Sequence, residues 1–117
     1  METLTFNRTG ALTVAGAISG TGAVNQIGSG TTSLAGAGTY SGTTTISAGI
    51  LSIGAGGATG ALGSGAVVNN STLQINRTGT VTVANDISGS GAVTKIATGT
   101  AILTGANSYT GTTTISA

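Results

Sequence analysis

The chain contains no cysteine, histidine, proline or tryptophan among its 117 residues, and these absences exclude several kinds of function. Without cysteine there is no disulfide framework, and without cysteine, histidine or clustered carboxylates a transition-metal site has no ligands. A nucleophile activated by histidine, as in a Ser-His-Asp triad, is likewise excluded. We therefore expect no metal-binding residue, no catalytic residue and no cofactor.

Charged side chains are also scarce, at 4% of residues with a formal net charge of +1. Nucleic-acid binding needs clustered lysine and arginine to neutralise phosphates, so we expect no nucleic-acid partner. Glu2 and Asp86 are the only carboxylates, whereas general acid–base catalysis and glycoside hydrolysis need carboxyl groups placed against a partner. Asp86 is interpreted as a solvated loop residue, and we expect neither enzymatic activity nor a small-molecule substrate.

Long hydrophobic runs and a secretory signal are missing as well. No apolar run approaches the roughly 18 residues of a transmembrane helix, and Met1 and Glu2 lead directly into ordinary sequence. We therefore expect an excised piece of a longer protein. The 22 glycines could indicate a disordered linker, but a hydrophobic content of 38% with low net charge favours a folded chain.

What the sequence does contain is a long internal repeat. Residues 3–48 return without a gap as residues 72–117, an offset of 69, with 29 of the 46 aligned positions identical. A fixed period indicates that one structural unit stacks on itself. We expect residues 1–117 to form a single β-solenoid segment, with one copy at 3–71 and a second, truncated copy at 72–117.

A finer period divides the 69-residue unit by three. Large aliphatic residues recur every 23 positions, at Leu4, Ile27, Ile50, Leu73 and Ile96. Apolar residues also recur at every second position in short runs rich in valine, isoleucine and threonine, which is typical of strands. The pattern predicts an all-β parallel β-helix of about five rungs of roughly 23 residues, with these five aliphatics in one inward column.

Two other architectures fit less well. An antiparallel sandwich is expected to carry hairpin dipeptides such as Asn-Gly or Asp-Gly, and neither occurs here. A helical fold would lose about 1 kcal/mol at each interior glycine. If the column exists, Leu73→Asp should destabilise the fold by several kcal/mol, because it places a charge among apolar side chains.

Residues 91–117 resemble the autotransporter-associated β-strand repeat, also called the passenger-associated transport repeat. The matching residues are Lys95, Gly99, Thr100, Leu103, Gly105, Ala106, Asn107, Tyr109, Gly111, Thr112 to Thr114 and Ile115. The first copy matches at Gly30, Thr31, Leu34, Gly36, Ala37, Tyr40, Gly42, Thr43 to Thr45 and Ile46, and continues through Ala48, Gly49, Leu51, Ile53 and Gly54. It departs at Gly38, where the pattern has asparagine.

The resemblance implies a right-handed parallel β-helix in the passenger of a bacterial type V secreted protein. Such passengers cross the outer membrane through a C-terminal β-barrel translocator, which would be a partner of the parent protein. The location implied is the bacterial cell surface, the outer membrane or the secreted fraction. The family has no catalytic residues to carry over to this chain, and the absence of cysteine is compatible with export through a narrow pore.

Several residues invite a more specific reading, and in each case a structural role is favoured. The glycine-rich segments 20–24 and 54–60 lack the lysine and the strand–loop–helix context of a phosphate-binding loop. A calcium-binding β-roll would need aspartates that are absent. Lys95 aligns with Gln26 and has no catalytic partner.

The polar and aromatic features common to both copies are also interpreted structurally. Threonine triplets at 43–45 and 112–114 could form an ice-binding ladder, but residues 66–68 interrupt it. The two tyrosines, Tyr40 and Tyr109, could stack on sugars but are expected to pack at rung corners. Arg8 and Arg77 are expected three rungs apart on one edge. The Asn-X-Ser/Thr sequons at residues 7, 69, 70 and 76 are interpreted as coincidental in a bacterial protein.

These observations predict a structural repeat segment of an autotransporter or adhesin passenger, forming a stalk that supports export and adhesion. Its expected partners are other copies of itself, the translocator of the parent protein and a host or neighbouring-cell surface. The alternative is a self-assembling extracellular fibre subunit that stacks end to end, because both end rungs lack capping segments.

Overall fold

The computed structural model describes residues 2–117, which form thirteen short strands and no helix. The strands are β1 (Thr3–Phe6), β2 (Ala11–Val14), β3 (Ala23–Gln26), β4 (Thr31–Leu34), β5 (Thr44–Ile46), β6 (Ile50–Ile53), β7 (Val67–Asn69), β8 (Thr72–Asn76), β9 (Thr80–Val83), β10 (Ile87–Ser88), β11 (Ala92–Ile96), β12 (Thr100–Leu103) and β13 (Thr113–Ile115). Each runs for only two to five residues before the chain turns a corner.

The strands wind into a parallel β-solenoid, as the repeat predicted. A first wall contains β1, β3, β5, β7 and β10 in that order, and a second contains β2, β4, β6, β8, β11 and β13. A third side carries the β9–β12 pair and a single bridge between Ile18 and Gly38. Every strand pair is parallel, which excludes the antiparallel sandwich. The right-handedness implied by the resemblance stays a prediction.

The predicted 23-residue rung is wrong for most of the chain. Thr3 pairs with Ala23 and Thr72 with Ala92, so a rung is usually 20 residues long. Only the β5–β7 pairing, at Thr44 and Val67, has an offset of 23 residues. The second wall holds six strands, so about six rungs replace the expected five.

The predicted aliphatic column is wrong for the same reason. Leu73 is fully buried, but it lies between Leu51 and Val93 instead of between Ile50 and Ile96. Ile27 points outward with 44% of its surface exposed. Because strands have a side-chain period of two, an error of three residues in the register reverses the side of the sheet that a residue faces.

The 69-residue repeat does not end on the wall where it began, which explains the error. Leu4 of the first wall stacks through Val24 and Thr44 to Val67. Its repeat counterpart Leu73, six residues further on, belongs to the second wall. One repeat therefore occupies three rungs and about a third of the next, and the second copy is turned by one wall relative to the first.

The core consists of inward columns that run along the stack. In the second wall Thr32, Leu51, Leu73 and Val93 form one column, and the next is formed by Leu34, Ile53 and Ile75. Full burial of each aliphatic side chain stabilises the fold by roughly 1.5–3 kcal/mol. Neighbouring rungs supply all of this burial, since a single rung has no interior of its own.

Candidate interaction surfaces

The two carboxylates lie far apart in the solenoid. Glu2 precedes β1 and Asp86 precedes β10, and four parallel pairings of the first wall separate these strands. At about 4.8 Å per strand this separation is on the order of 19 Å, beyond the reach of a carboxylate pair. Asp86 is exposed, and its Oδ1 accepts a hydrogen bond of 2.7 Å from the Ala106 amide of the next rung. Its observed contact thus braces a corner.

The lysine occupies an inward position of the second wall. Lys95 pairs with Ile75 below and Ile115 above. Its Nζ donates to the carbonyls of Ala97 at 2.9 Å and Ala117 at 3.0 Å. The long side chain therefore satisfies backbone carbonyl groups at the corner that follows its own strand.

The repeat counterpart of Lys95 has the same task in the interior. Gln26 is buried, and its Nε2 donates to the carbonyls of Gly28 at 3.2 Å and Gly30 at 3.1 Å. Its Oε1 accepts a hydrogen bond of 2.7 Å from the Thr32 hydroxyl. Sequence reasoning missed this buried polar group, although the alignment of glutamine with lysine marked a position where a polar side chain recurs.

Tyr40 is buried at a corner, in agreement with the packing role expected for it. Its hydroxyl lies 2.6 Å from the Thr44 hydroxyl, and Tyr109 repeats the contact with Thr113 at the same distance. A buried ring cannot stack on a sugar. Tyr109 is partly exposed because no rung covers it within the part of the chain that is described.

The threonine triplets do not form a continuous face. Thr44 points inward and is buried, and the strand above it places Val67 at the same position. The triplet at 112–114 belongs to the second wall instead of the first. The predicted interruption of the ladder is confirmed. The sequon at Asn69 is likewise internal, because this side chain is buried and donates to the Ala92 carbonyl at 2.9 Å.

The two arginines lie at different corners, so the prediction that they share an edge is wrong. Arg8 follows β1 of the first wall, whereas Arg77 follows β8 of the second. Arg77 donates from its two terminal nitrogens to the carbonyls of Ala58 at 2.7 Å and Gly60 at 2.9 Å. The glycine-rich loop 54–60 is thus held by an arginine from the next rung, whereas Arg8 is exposed and makes no side-chain hydrogen bond within residues 2–117.

The ends of the solenoid are its most open surfaces. A depression of about 690 Å³ opens at the N-terminal end, lined by residues that include Leu4, Ile18 and Val24. Leu4 is 44% exposed there, whereas its counterpart Leu73 is fully buried. At the other end Ile115 is 72% exposed and its counterpart Ile46 is fully buried. Both ends therefore present inward-type apolar residues to solvent.

Searches of the described residues for two other kinds of site were negative. Across residues 2–117 no three histidine, cysteine, aspartate or glutamate side chains lie close enough to hold a metal ion. The same residues include no helix with the length and apolar character needed to cross a membrane.

The parallel pairings, the open ends and the internal repeat define a β-solenoid repeat protein. Residues 24–53 and 93–117 match the passenger-associated-transport-repeat family model. Over 93 residues, or 80% of its length, the chain is 53% identical to a protein named Adhesin BmaC autotransporter, from Brucella suis biovar 1 (strain 1330). The chain spans 3% of the length of that relative. No solved structure matches.

The chain belongs to the passenger-associated transport repeat family and is a repeat segment of an autotransporter passenger. Proteins of this kind are located at the bacterial cell surface or are secreted. The resemblance found in the sequence is therefore confirmed, both in the two repeats and in the fold.

Proposed function

We propose that residues 1–117 act as one non-enzymatic structural unit, a rigid section of a passenger stalk that supports export and spaces an adhesive region from the cell. The stacking of fully buried columns across all rungs supports this proposal most directly, because it makes each rung the template for the next. The scarcity of titratable groups also favours a structural role over catalysis.

The adhesive part of the proposal comes from the named relative. That protein is called an adhesin, and the present chain covers a small part of its length. We propose that this segment contributes to adhesion by holding a distal region away from the membrane, with the translocator of the parent protein and a host or neighbouring-cell surface as partners.

Surface display of an autotransporter passenger that carries this segment tests the stalk proposal. Leu73→Asp, in a buried column, should reduce the amount of passenger that protease can reach on intact cells. Gln74→Asp is a matched control, because Gln74 is the next residue on the same strand and points outward. Equal display of both variants would refute the idea that rung stacking supports export.

Self-association through the end surfaces is a second proposal, favoured by the exposure of Leu4 and Ile115. Open strand edges at both ends are surfaces on which another chain can add strands. Electron microscopy of the purified chain should then show filaments about one solenoid wide. Discrete single particles at high concentration would contradict it.

A further inference from the structure

The middle rung of the chain, residues 49–71, separates two copies of the same 46-residue sequence. Residues 3–48 lie on one side of this rung and residues 72–117 on the other. We name residues 49–71 the joining rung. The structure shows how it contacts both neighbours, and these contacts can be compared with the open ends.

The joining rung packs against residues 72–117 through its upper edge. Its strand β6 pairs with β8, with Leu51 opposite Leu73 and Ile53 opposite Ile75. Arg77, at the corner after β8, closes the contact by donating to the carbonyls of Ala58 and Gly60. The upper edge of the joining rung thus binds a strand, its apolar side chains and the arginine that follows.

The N-terminal end of the chain carries the same binding elements without a partner. Strand β1 repeats β8, so Leu4 corresponds to Leu73, Phe6 to Ile75 and Arg8 to Arg77. Within the described residues the first-wall edge of β1 that faces away from β3 pairs with no strand. Leu4 lines the depression at this end, and the Arg8 side chain is exposed.

The C-terminal end is complementary to the opposite edge of the same rung. Strand β12 repeats β4, which pairs with β6 through Leu34 and Ile53. Tyr109 repeats Tyr40, whose ring is covered by Gly63 so closely that a Cβ at that glycine would lie 2.6 Å from the ring. Ile115 repeats Ile46, which pairs with Asn69. All three partners belong to the joining rung.

We propose that both end surfaces are docking sites for one kind of occupant, an extended rung with the sequence of residues 49–71, bound by parallel strand addition. At the N-terminal end Leu51 and Ile53 of the occupant lie against Leu4 and Phe6, and Arg8 donates to the carbonyls of the occupant's residues 58 and 60. This proposal deepens the proposed self-association, on which it rests, by naming the piece that the ends accept.

An intact second copy is a poor occupant. Its own joining rung is already paired on both sides, by β4 and β8, and is not available to another chain. The end surfaces that intact copies offer each other correspond to the two sides of the missing rung. A free rung of this sequence can contact both and should join two chains end to end.

Binding of a synthetic 23-residue peptide with the sequence of residues 49–71 tests the proposal. Fluorescence anisotropy with labelled peptide and the 117-residue chain should show saturable binding, and sedimentation should show larger assemblies as peptide is added. Peptide Leu51→Asp should not bind. Arg8→Ala in the protein should weaken binding at the N-terminal end about tenfold, since two charge-assisted hydrogen bonds are lost. Ser41→Ala, at an exposed mid-stack position, is the matched control and should have no effect.

Three results would overturn the proposal. These are no binding of the peptide, binding unaffected by Leu51→Asp, and filaments of the chain alone that do not change on peptide addition. The last result would leave self-association standing and show that intact ends bind each other directly. Failure of both the chain and the peptide mixture to assemble would remove both ideas.

A peptide of this composition could aggregate by itself, so a second variant provides an independent test. Residues 49–71 are appended after Ala117, and the control carries the same residues in scrambled order. The native extension should raise the unfolding midpoint and protect the backbone amides of β12 and β13 from hydrogen exchange. Equal midpoints and equal exchange in the two extended chains would show that the C-terminal surface does not accept this rung.

Discussion

Replacement of Leu73 by aspartate is the most direct test of how the rungs stack. Leu73 is fully buried between Leu51 and Val93. Removing a buried leucine side chain costs about 2–5 kcal/mol, and an unpaired carboxylate in the same place adds its own desolvation penalty. We therefore expect a loss of at least about 4 kcal/mol, against a total stability of roughly 6–18 kcal/mol for a domain of this length.

The repeat provides a matched control for this substitution. Leu4 occupies the same position in the first copy but is 44% exposed at the open end. Leu4→Asp should cost only about 1 kcal/mol, because roughly half of the leucine burial is at stake and the carboxylate stays hydrated. Urea denaturation followed by circular dichroism measures both values. A loss for Leu4→Asp equal to that for Leu73→Asp would refute the rung register described here.

Three further substitutions test particular contacts, each by the shift of the urea midpoint. Ile53→Asp should destabilise the chain by several kcal/mol, whereas Ile27→Asp, at an outward position, should stay within about 0.5 kcal/mol of the wild type. Equal effects would restore the 23-residue register. Tyr40→Phe should cost about 1–3 kcal/mol, because a buried threonine hydroxyl loses its partner, and an unchanged midpoint would contradict that contact. Gly63→Ala should be destabilising because the new methyl group meets the tyrosine ring and backbone, while Gly57→Ala meets nothing within 4 Å and should be tolerated. Tolerance of both would show that the corner is loosely packed.

The fold class could be predicted from the sequence because the repeat and the alternation of apolar residues are properties of many residues at once. The rung length could not, because a 69-residue period is compatible with three equal rungs or with three rungs and part of a fourth. Corner lengths decide between these, and they vary along the chain from the usual 20-residue spacing to 23 residues at Thr44 and Val67. Leu73 was correctly predicted to point inward, but with the wrong neighbours.

The candidate surfaces were predicted less completely than the fold. That the ends are open followed from the absence of capping segments. The roles of Gln26 and Arg77 did not, because each binds backbone carbonyls that only the folded corners bring within reach. Carbonyl groups carry no sequence signal, so a polar side chain that pairs with them cannot be distinguished in advance from one that faces water.

The shift of one wall per repeat determines how a tandem array of such repeats would meet its surroundings. A side chain at a fixed repeat position would point in three directions in succession and recover its first direction after three repeats. That distance is about ten rungs, or on the order of 48 Å at the usual strand spacing. Equivalent residues would follow a threefold screw along the shaft, so that a neighbouring molecule approaching from any side would find the same chemical group at regular intervals.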